Sequence, residues 1–233
     1  MNPRASVKIM NGVDATTRPI ILVLGTRNRK KCGEMAELIA PAHASAEFRG
    51  RIEVHSIDEY PEAVEVEEDG ATFADNARKK AVEQARRVSR WVLADDSGLE
   101  VDALGGAPGV ISARYAGEPC DDAANNRKLL DALMNRPDAE RGAGFRCALC
   151  LADPSGTPRL EVQAACRGRI AHAPRGAAGF GYDPLFLIPE YHQTFGELSP
   201  LVKHHLSHRA RAFALLHAGL DRLIESGAMD PPA

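Results

Sequence analysis

The stretch FRCALCLADPSGTPRLEVQAAC, residues 145–166, decides the fold class of this chain of 233 residues. In each half of the stretch, apolar residues alternate with less apolar ones, which is the pattern of a half-buried strand. Asp153-Pro-Ser-Gly156 between the halves has the composition of a tight turn. The stretch therefore predicts an antiparallel β-hairpin, which argues against a purely parallel sheet.

Outside the hairpin, short apolar runs alternate with amphipathic segments. Further strands are predicted at residues 20–24, 52–57, 91–94 and 185–188. Helices are predicted at residues 29–40, 72–89 and 122–134, and from an N-cap at Ser207 onward. The interleaving predicts an α/β chain with a mixed sheet. Residues 19–228 are predicted to form one domain of two lobes, after a loose extension (1–18) and before a frayed tail (229–233).

Bulk properties exclude several classes of protein. The net charge of −3 gives no reason to expect nucleic acid or a membrane surface as partner. No signal peptide is visible, and no run approaches the ~20 apolar residues of a spanning helix. Five cysteines, an odd number, fit a reducing cytoplasm. Cys147 and Cys150 have CxxC spacing inside a strand pattern, so buried thiols are expected rather than zinc or redox chemistry.

The first polar segment of interest joins the first strand to the first helix. It is GTRNRKK, residues 25–31, and the free N–H groups of a helix start favour an anion there. Thr26 and Asn28 add hydrogen bonds and Lys31 adds charge, although the spacing is not that of a Walker A loop. A solvated basic turn fits this segment equally well.

The second segment is Asp95-Asp96-Ser97-Gly98, predicted as an acidic turn after the strand at 91–94. Adjacent carboxylates repel each other unless a cation neutralises them, and Mg²⁺ prefers hard oxygen ligands. Residues 67–69, Glu-Glu-Asp, supply a second acidic group. A solvated acidic loop is the competing interpretation, so these residues alone leave a metal site open.

Two further segments carry aromatic and basic side chains. In GFGYD, residues 179–183, the glycines let a flat ligand approach and Phe180 can stack on a base, unless it is a core residue. In KHHLSHR, residues 203–209, Ser207 as N-cap places His208 and Arg209 in the first helical turn. Cations there oppose the macrodipole, which suggests an anionic or carbonyl-bearing partner, but a plain basic helix start fits this segment equally well. The histidines lack a full zinc ligand set.

Together these motifs resemble the inosine/xanthosine triphosphate pyrophosphatases. The matching residues run in family order from 20 to 223: Thr26-x-Asn28-x-x-Lys31-x-x-Glu34, Thr72-Phe-x-x-Asn76-Ala-x-x-Lys80-Ala81, the block 94–117, Pro174-Arg-Gly176, residues 179–186, and Lys203 with Ser207-His-Arg209. The family pattern has glycine where this chain has Arg27, and often another where it has Lys30.

The resemblance implies hydrolysis of ITP, dITP and XTP to the monophosphate and pyrophosphate, in a cleft between two lobes of an elongated mixed sheet. It also implies Mg²⁺ and a homodimer. Asp96 is the implied catalytic base, beside Asp95, and Glu68 and Asp96 are the implied metal ligands. The implied substrate-binding residues are Thr26, Arg27, Asn28, Arg29, Lys30, Lys31, Asn76, Lys80, Ser97, Phe180, Gly181, Tyr182, Asp183, Lys203, His208 and Arg209.

Base choice is expected to follow from hydrogen bonding. Arg209 and His208 are expected to donate to the 6-carbonyl of inosine or xanthosine, and Asp183 to accept from N1–H, which adenine cannot match. Three other functions remain open. They are a related pyrophosphatase for modified pyrimidine or methylated nucleotides, a nucleotide-binding regulator without catalysis, and a zinc-binding structural module.

Overall fold

The computed structural model describes residues 19–39 and 50–230, and the predicted extension at 1–18 lies outside them. The strands are β1 (Ile20–Leu24), β2 (Ile52–Ser56), β3 (Trp91–Val101), β4 (Gly142–Ala152), β5 (Pro158–Ile170), β6 (Phe186–Ile188) and β7 (Gln193–Thr194). The described helices are α1 (Arg29–Ile39), α2 (Phe73–Val88), α3 (Asp122–Ala132), α4 (Pro200–Leu206) and α5 (His208–Glu225).

The seven strands form one mixed sheet in the order β2-β1-β3-β4-β5-β6-β7. β1 pairs in parallel with β2 and β3, and the remaining neighbours are antiparallel. The predicted α/β class and the β4–β5 hairpin are thereby confirmed.

Local chemistry explains where the main helices begin. Thr72 caps α2 through a reciprocal capping box with Asp75, and Ser89 ends it in the left-handed conformation. Ser199 caps α4, and Ser207 accepts from the backbone N–H of Ala210 to cap α5. The extended backbone of Ser207 separates α4 from α5, so the two helices meet at this residue.

Three hydrophobic clusters fill the core. One lies between β1, β3, β4 and the helices α1 and α5, and it includes Met229, which is 2% exposed. The second lies on the opposite face of the same strands, under α2. The third surrounds Phe145, Phe186 and Phe195 at the far end of the sheet, against α3.

The CxxC cysteines support this two-faced arrangement. Cys147 and Cys150 are buried in the clusters on opposite faces of β4, and both thiols are free. Burial raises the pKa of each thiol to about 12. The prediction that both thiols are buried is confirmed. None of the described helices is long and apolar enough to cross a membrane.

Candidate active site

A cleft opens where β1 ends and β3 continues. β1 pairs with β3 only at Trp91–Leu93, whereas β3 runs on to Val101 beside β4. The edge of β3 beyond Leu93 therefore has no parallel neighbour, and α/β proteins bind ligands at such carboxyl ends of strands. A cavity of about 360 Å³ lies at this point.

Asp95 and Asp96 lie inside β3, which corrects the prediction of an acidic turn after a short strand. The strand continues because β4 provides a register partner for every residue from Val92 to Val101. Successive side chains of a strand point to opposite faces. Asp95 consequently faces α1 and α5, whereas Asp96 faces α2.

Asp95 is a fully buried, permanently charged group. Its Oδ2 atom lies 3.6 Å from Lys31 Nζ and 3.5 Å from Arg209 Nε. The Ser97 hydroxyl donates to the same oxygen at 2.5 Å. Burial alone would raise the pKa of Asp95, but Lys31, Arg209 and Lys80 outweigh it and hold that pKa well below its usual range. Asp95 therefore fixes two cations on one side of β3.

Asp96 has the surroundings of a general base. Asn76 Nδ2 donates to its Oδ2 at 3.0 Å, and the Ser97 N–H donates to its Oδ1 at 3.0 Å. Burial raises the pKa of Asp96, and the cations Lys80 and Lys31 only partly oppose that rise. A carboxylate with a raised pKa is a stronger proton acceptor than an ordinary one.

Glu68 and Asp96 share one cation. Lys80 Nζ donates to Glu68 Oε1 at 2.9 Å and lies 3.8 Å from Asp96 Oδ1. Burial lowers the pKa of Lys80, but Asp95, Asp96 and Glu68 raise it above its usual value. Two carboxylates that already converge on a positive charge are the donors that Mg²⁺ takes together with substrate phosphates.

No cluster of three or more His, Cys, Asp or Glu side chains suited to a metal occurs within residues 19–39 and 50–230. That finding concerns sites built from protein side chains alone. It is compatible with an ion that two carboxylates and a phosphorylated ligand hold jointly. The residues therefore fit a divalent metal that binds together with the ligand.

The turn between β1 and α1 is organised by its own side chains. Asn28 Oδ1 accepts from the backbone N–H groups of Lys30 and Lys31, both at 3.1 Å, and so caps α1. Thr26 Oγ1 accepts from the Asn28 N–H at 3.2 Å. Arg27 Nη2 donates to the Ala63 carbonyl at 2.9 Å, so the arginine in place of the family's glycine braces this turn against the segment that leads to Glu68.

Phe180 lies at the other end of the cleft and belongs to none of the three hydrophobic clusters. Gly179 and Gly181 on either side of it have φ values of 78° and 59°, which favour glycine. The ring centre lies 5.4–5.6 Å from the charged groups of three cations, Lys30, Lys203 and Arg209. An aromatic ring outside the core and next to cations is suited to stack on a flat anionic ligand.

Asp183 and Lys203 form a buried pair beside this ring. Lys203 Nζ donates to Asp183 Oδ2 at 2.7 Å, and the Phe180 N–H donates to the same oxygen at 2.8 Å. Burial raises the pKa of Asp183, and Lys203 opposes that rise. Asp183 thus fixes both the backbone of Phe180 and the position of Lys203.

His208 and Arg209 reach the cleft from the first turn of α5. His208 stacks on Phe145 at 4.8 Å, and its buried Nδ1 atom has no hydrogen-bond partner. Burial, together with Arg209 and Lys203, lowers the pKa of His208 well below its usual value, so the ring is neutral. Arg209 Nη1 donates to Glu34 Oε2 at 2.8 Å, and its Nη2 donates to Ser97 Oγ at 3.3 Å.

The structure brings most of the predicted site residues to one cavity. Asn76 supports Asp96 from behind the lining, Lys30 lies over Phe180, and Arg29 is exposed at the start of α1. The Tyr182 hydroxyl donates to the Ser112 carbonyl at 2.8 Å. The predicted residues that line the cavity are Thr26, Arg27, Asn28, Lys31, Glu68, Lys80, Asp96, Ser97, Phe180, Gly181, Tyr182, Asp183, Lys203, His208 and Arg209.

Sequence reasoning missed several residues of the cleft. Arg114, Asp122 and Asn125 also line the cavity, and Glu34 joins Lys203 to Arg209. Glu34 had a signal, because it follows Lys31 by three residues and so shares its helix face. Asp122 and Asn125 had none, since they look like ordinary polar residues at a helix start.

The fold and the cleft define an α/β protein with one cavity lined by buried carboxylates, cations and an aromatic ring. Residues 22–218 match the model of the Ham1 family, and the chain belongs to that family. It is 55% identical over 207 residues to a dITP/XTP pyrophosphatase of Rhodopirellula baltica, covering 89% of this chain and 96% of that protein. It is 51% identical over 203 residues to the dITP/XTP pyrophosphatase of Desulforamulus reducens, covering 87% and 96%.

Solved structures agree with the sequence matches. A HAM1 protein of Coxiella burnetii superimposes with a TM-score of 0.77 at 38% identity, covering 87% of this chain and 99% of that one. A nucleoside-triphosphatase, dITP/XTP pyrophosphatase, of Mycobacterium abscessus gives a TM-score of 0.68 at 41% identity, covering 84% and 98%.

Proposed function

We propose that this protein hydrolyses non-standard purine nucleoside triphosphates, namely ITP, dITP and XTP, to the monophosphate and pyrophosphate. The observation that carries the proposal is the arrangement of Asp96, Glu68 and Lys80 opposite the β1–α1 turn, with Phe180 and Arg209 at the other end of one cavity. The names of the Ham1 relatives support the same activity. The product monophosphate no longer serves polymerases, so the reaction cleanses the nucleotide pool.

The chemical step is attack of water on the α-phosphorus. The water oxygen bonds to that phosphorus as the bond to the bridging oxygen breaks, and pyrophosphate leaves with it. Asp96 accepts the proton of the water, and Lys31 and Lys80 offset the charge of the phosphates. Glu68 and Asp96 would hold a divalent ion, Mg²⁺ in our proposal, which supplies further charge neutralisation when bound.

Selection of the base rests on the groups around Phe180. The ring stacks on the purine, and Arg209 donates to the 6-carbonyl, while neutral His208 has one nitrogen available as donor or acceptor. Asp183 accepts from N1–H. Adenine presents an amino group and a bare N1 instead, which would leave buried donors and acceptors unmatched.

Pyrophosphate release from a panel of nucleotides tests the proposal. We expect Mg²⁺-dependent turnover of ITP, dITP and XTP, and much slower turnover of ATP, dTTP and UTP. Asp96→Asn should lower kcat at least about a thousandfold, whereas Asp102→Asn, which removes an exposed partner of Arg167 from the end of the same strand, should keep wild-type turnover. Turnover of ITP by Asp96→Asn at the wild-type rate would reject Asp96 as the base, and a preference for dTTP or UTP would reject the purine assignment.

Two further properties belong to the proposal. The five cysteines are all free, which supports a reducing compartment, and we propose the cytoplasm. We also propose a homodimer with one cleft in each subunit, and neither nucleic acid nor a membrane as partner.

A further inference from the structure

The residue after Phe180, Gly181, is held at both its N–H and its carbonyl by side chains of the helix α3. Asp122 Oδ2 accepts from the Gly181 N–H at 2.9 Å. Asn126 Nδ2 donates to the Gly181 carbonyl at 2.9 Å. The two side chains are four residues apart in the first turns of α3, so they share one face of that helix. We call this pair, Asp122 and Asn126, the Gly181 clamp.

The ring of Phe180 depends on such backbone contacts because it lacks side-chain packing in the core. It belongs to none of the hydrophobic clusters of the described residues, and the groups over its ring are the charged ends of Lys30, Lys203 and Arg209. Its own N–H is fixed by Asp183. Gly179 and Gly181 on either side, both with positive φ, leave the backbone free to rotate once those hydrogen bonds are lost.

The same helix also holds a second segment that lines the cavity. Asn125 Oδ1 accepts from the Ala116 N–H at 2.6 Å, and its Nδ2 donates to the Ala113 carbonyl at 2.8 Å. Three side chains at the start of α3 therefore contact both the segment 113–116 and the Phe180 loop, which the Tyr182 hydroxyl also joins through the Ser112 carbonyl. This gives α3 a reason to lie beside the cleft although it carries no group for the chemical step.

We propose that Asp122 and Asn126 are positioning residues that hold the Phe180 ring at the stacking distance for a purine. The inference rests on the proposed function only for the identity of the ligand. The clamp acts before the chemical step, because it touches neither Asp96 nor Glu68. Its loss should therefore weaken nucleotide binding and leave the chemistry intact.

Kinetic constants for ITP in clamp variants test this proposal. Asn126→Leu keeps the size of the side chain but cannot donate, and Asp122→Ala removes the acceptor. Each should raise KM roughly fivefold, the effect of one lost hydrogen bond, with kcat within about twofold of the wild type. Asp122→Asn keeps an oxygen for the Gly181 N–H and should restore most of the loss caused by Asp122→Ala, which separates the hydrogen bond from the charge.

Two controls make the result specific. Asp131→Ala changes an exposed acid of the same helix and should leave both constants unchanged. In a Phe180→Ala background, Asn126→Leu should have no further effect on KM, because the ring on which the clamp acts is gone. An additive effect of the two substitutions, or a loss confined to kcat, would overturn the proposal.

Hydrogen–deuterium exchange of residues 176–183 gives an answer that does not depend on turnover. The Gly181 amide should exchange faster in Asp122→Ala and Asn126→Leu, and at the wild-type rate in Asp131→Ala. Failure of the wild type to hydrolyse ITP would refute the proposed function, whereas unchanged exchange and unchanged KM in the variants would refute the clamp alone.

Discussion

Asp95 and Asp96 are neighbours in sequence, but their pKa values move in opposite directions. Both are buried, yet Lys31 and Arg209 lie within 3.6 Å of Asp95, whereas Lys80 and Lys31 offset the burial of Asp96 only in part. The pKa of Asp95 therefore falls and that of Asp96 rises. In the proposed mechanism the first carboxylate is a fixed charge and the second a proton acceptor, and this difference follows from the faces that they occupy.

Arg209 should determine the choice between purines. We expect Arg209→Ala to reduce the ratio of kcat/KM for ITP to that for ATP by about tenfold or more, because the donor to the 6-carbonyl is lost. The substitution also removes one of the two cations beside Asp95 and one of the two beside Glu34, and so lowers stability. The ratio does not depend on the folded fraction, and an unchanged ratio would contradict the assigned role.

His208 should make the protein sensitive to acid. Burial, together with Arg209 and Lys203, lowers its pKa in the folded chain. The unfolded chain takes up a proton on this ring as the pH falls through about 6.5, and the folded chain does not, so acidification favours unfolding.

Thermal unfolding at two pH values tests this linkage. Between about pH 7.5 and about pH 5, we expect the melting temperature of the wild type to fall about 2–4 °C further than that of His208→Gln. His204→Gln, which changes an exposed histidine near Glu37, should follow the wild type. If the melting temperatures of all three proteins fell equally with pH, His208 would be protonated equally in the folded and the unfolded chain.

Among the elements, the junction of α3, β4 and β5 depends on one buried arginine. Arg141 is 2% exposed, and its guanidinium donates to the carbonyls of Leu133, Ile170 and Ala171 at 2.8–3.0 Å. These carbonyls lie at the end of α3 and at the end of β5, and the Leu133 carbonyl also accepts from the Arg136 N–H at 3.0 Å. A single side chain thus joins two element ends.

Replacement of this arginine should be costly. We expect Arg141→Met to lower the free energy of unfolding by about 2–3 kcal/mol, because three carbonyls at the ends of α3 and β5 each lose a guanidinium donor. Arg136→Ala removes an exposed pair with Glu140 and should cost less than about 0.5 kcal/mol. Urea unfolding measures the loss of unfolding free energy in both variants. An equal loss in the two would contradict the view that Arg141 stabilises the ends of α3 and β5.

The elements also show how far the sequence determines the fold. Periodicity and capping residues predicted the helices at Thr72 and Ser207 and the β4–β5 hairpin within a few residues. The extension of β3 through Asp95-Asp96-Ser97-Gly98 was missed, because charged residues and glycine are unfavourable in an isolated strand. The charges of Asp95 and Asp96 are offset by Lys31, Lys80 and Arg209 only after the whole sheet has formed. The local sequence therefore carries no signal for the longer strand.

The sequence likewise predicted some residues of the candidate site and not others. Asp96, Lys80 and Phe180 were accessible from motifs, whereas the contacts of Asp122, Asn126 and Arg27 depend on how distant segments meet. Arg27 was expected near the phosphates, and its guanidinium instead reaches the Ala63 carbonyl. The length of its side chain allows either direction, and only the tertiary structure selects one.

At the scale of the whole molecule, the cleft separates two groups of core residues that share one sheet. The clusters around β1 and α2 lie on one side of it, and the cluster around Phe145 and Phe186 lies on the other. The strands β3, β4 and β5 run through both regions. Helix α5 also reaches both, because His208 stacks on Phe145 whereas Phe213 lies in the cluster around β1. The two sides of the cleft are therefore connected by continuous elements.

The proposed homodimer is tested by light scattering on the eluting protein. We expect twice the 25.1 kDa of one chain at micromolar concentration. Leu201 and Leu215 are 71% and 55% exposed, and a subunit contact is one way to remove such apolar surface from water. A constant mass of one chain over a wide range of concentration would refute the dimer.

Because side chains alternate between the two faces of β3, the arrangement of the cleft depends on the number of residues in that strand. One residue inserted between Leu93 and Asp95 would turn every later side chain of the strand to the other face. The Asp96 carboxylate would then lie near Lys31 and Arg209, and the Asp95 carboxylate would lie near Asn76. The pKa of Asp96 would fall and the pKa of Asp95 would rise. Natural variation and laboratory redesign can therefore exchange residues in β3 but cannot lengthen or shorten it by one.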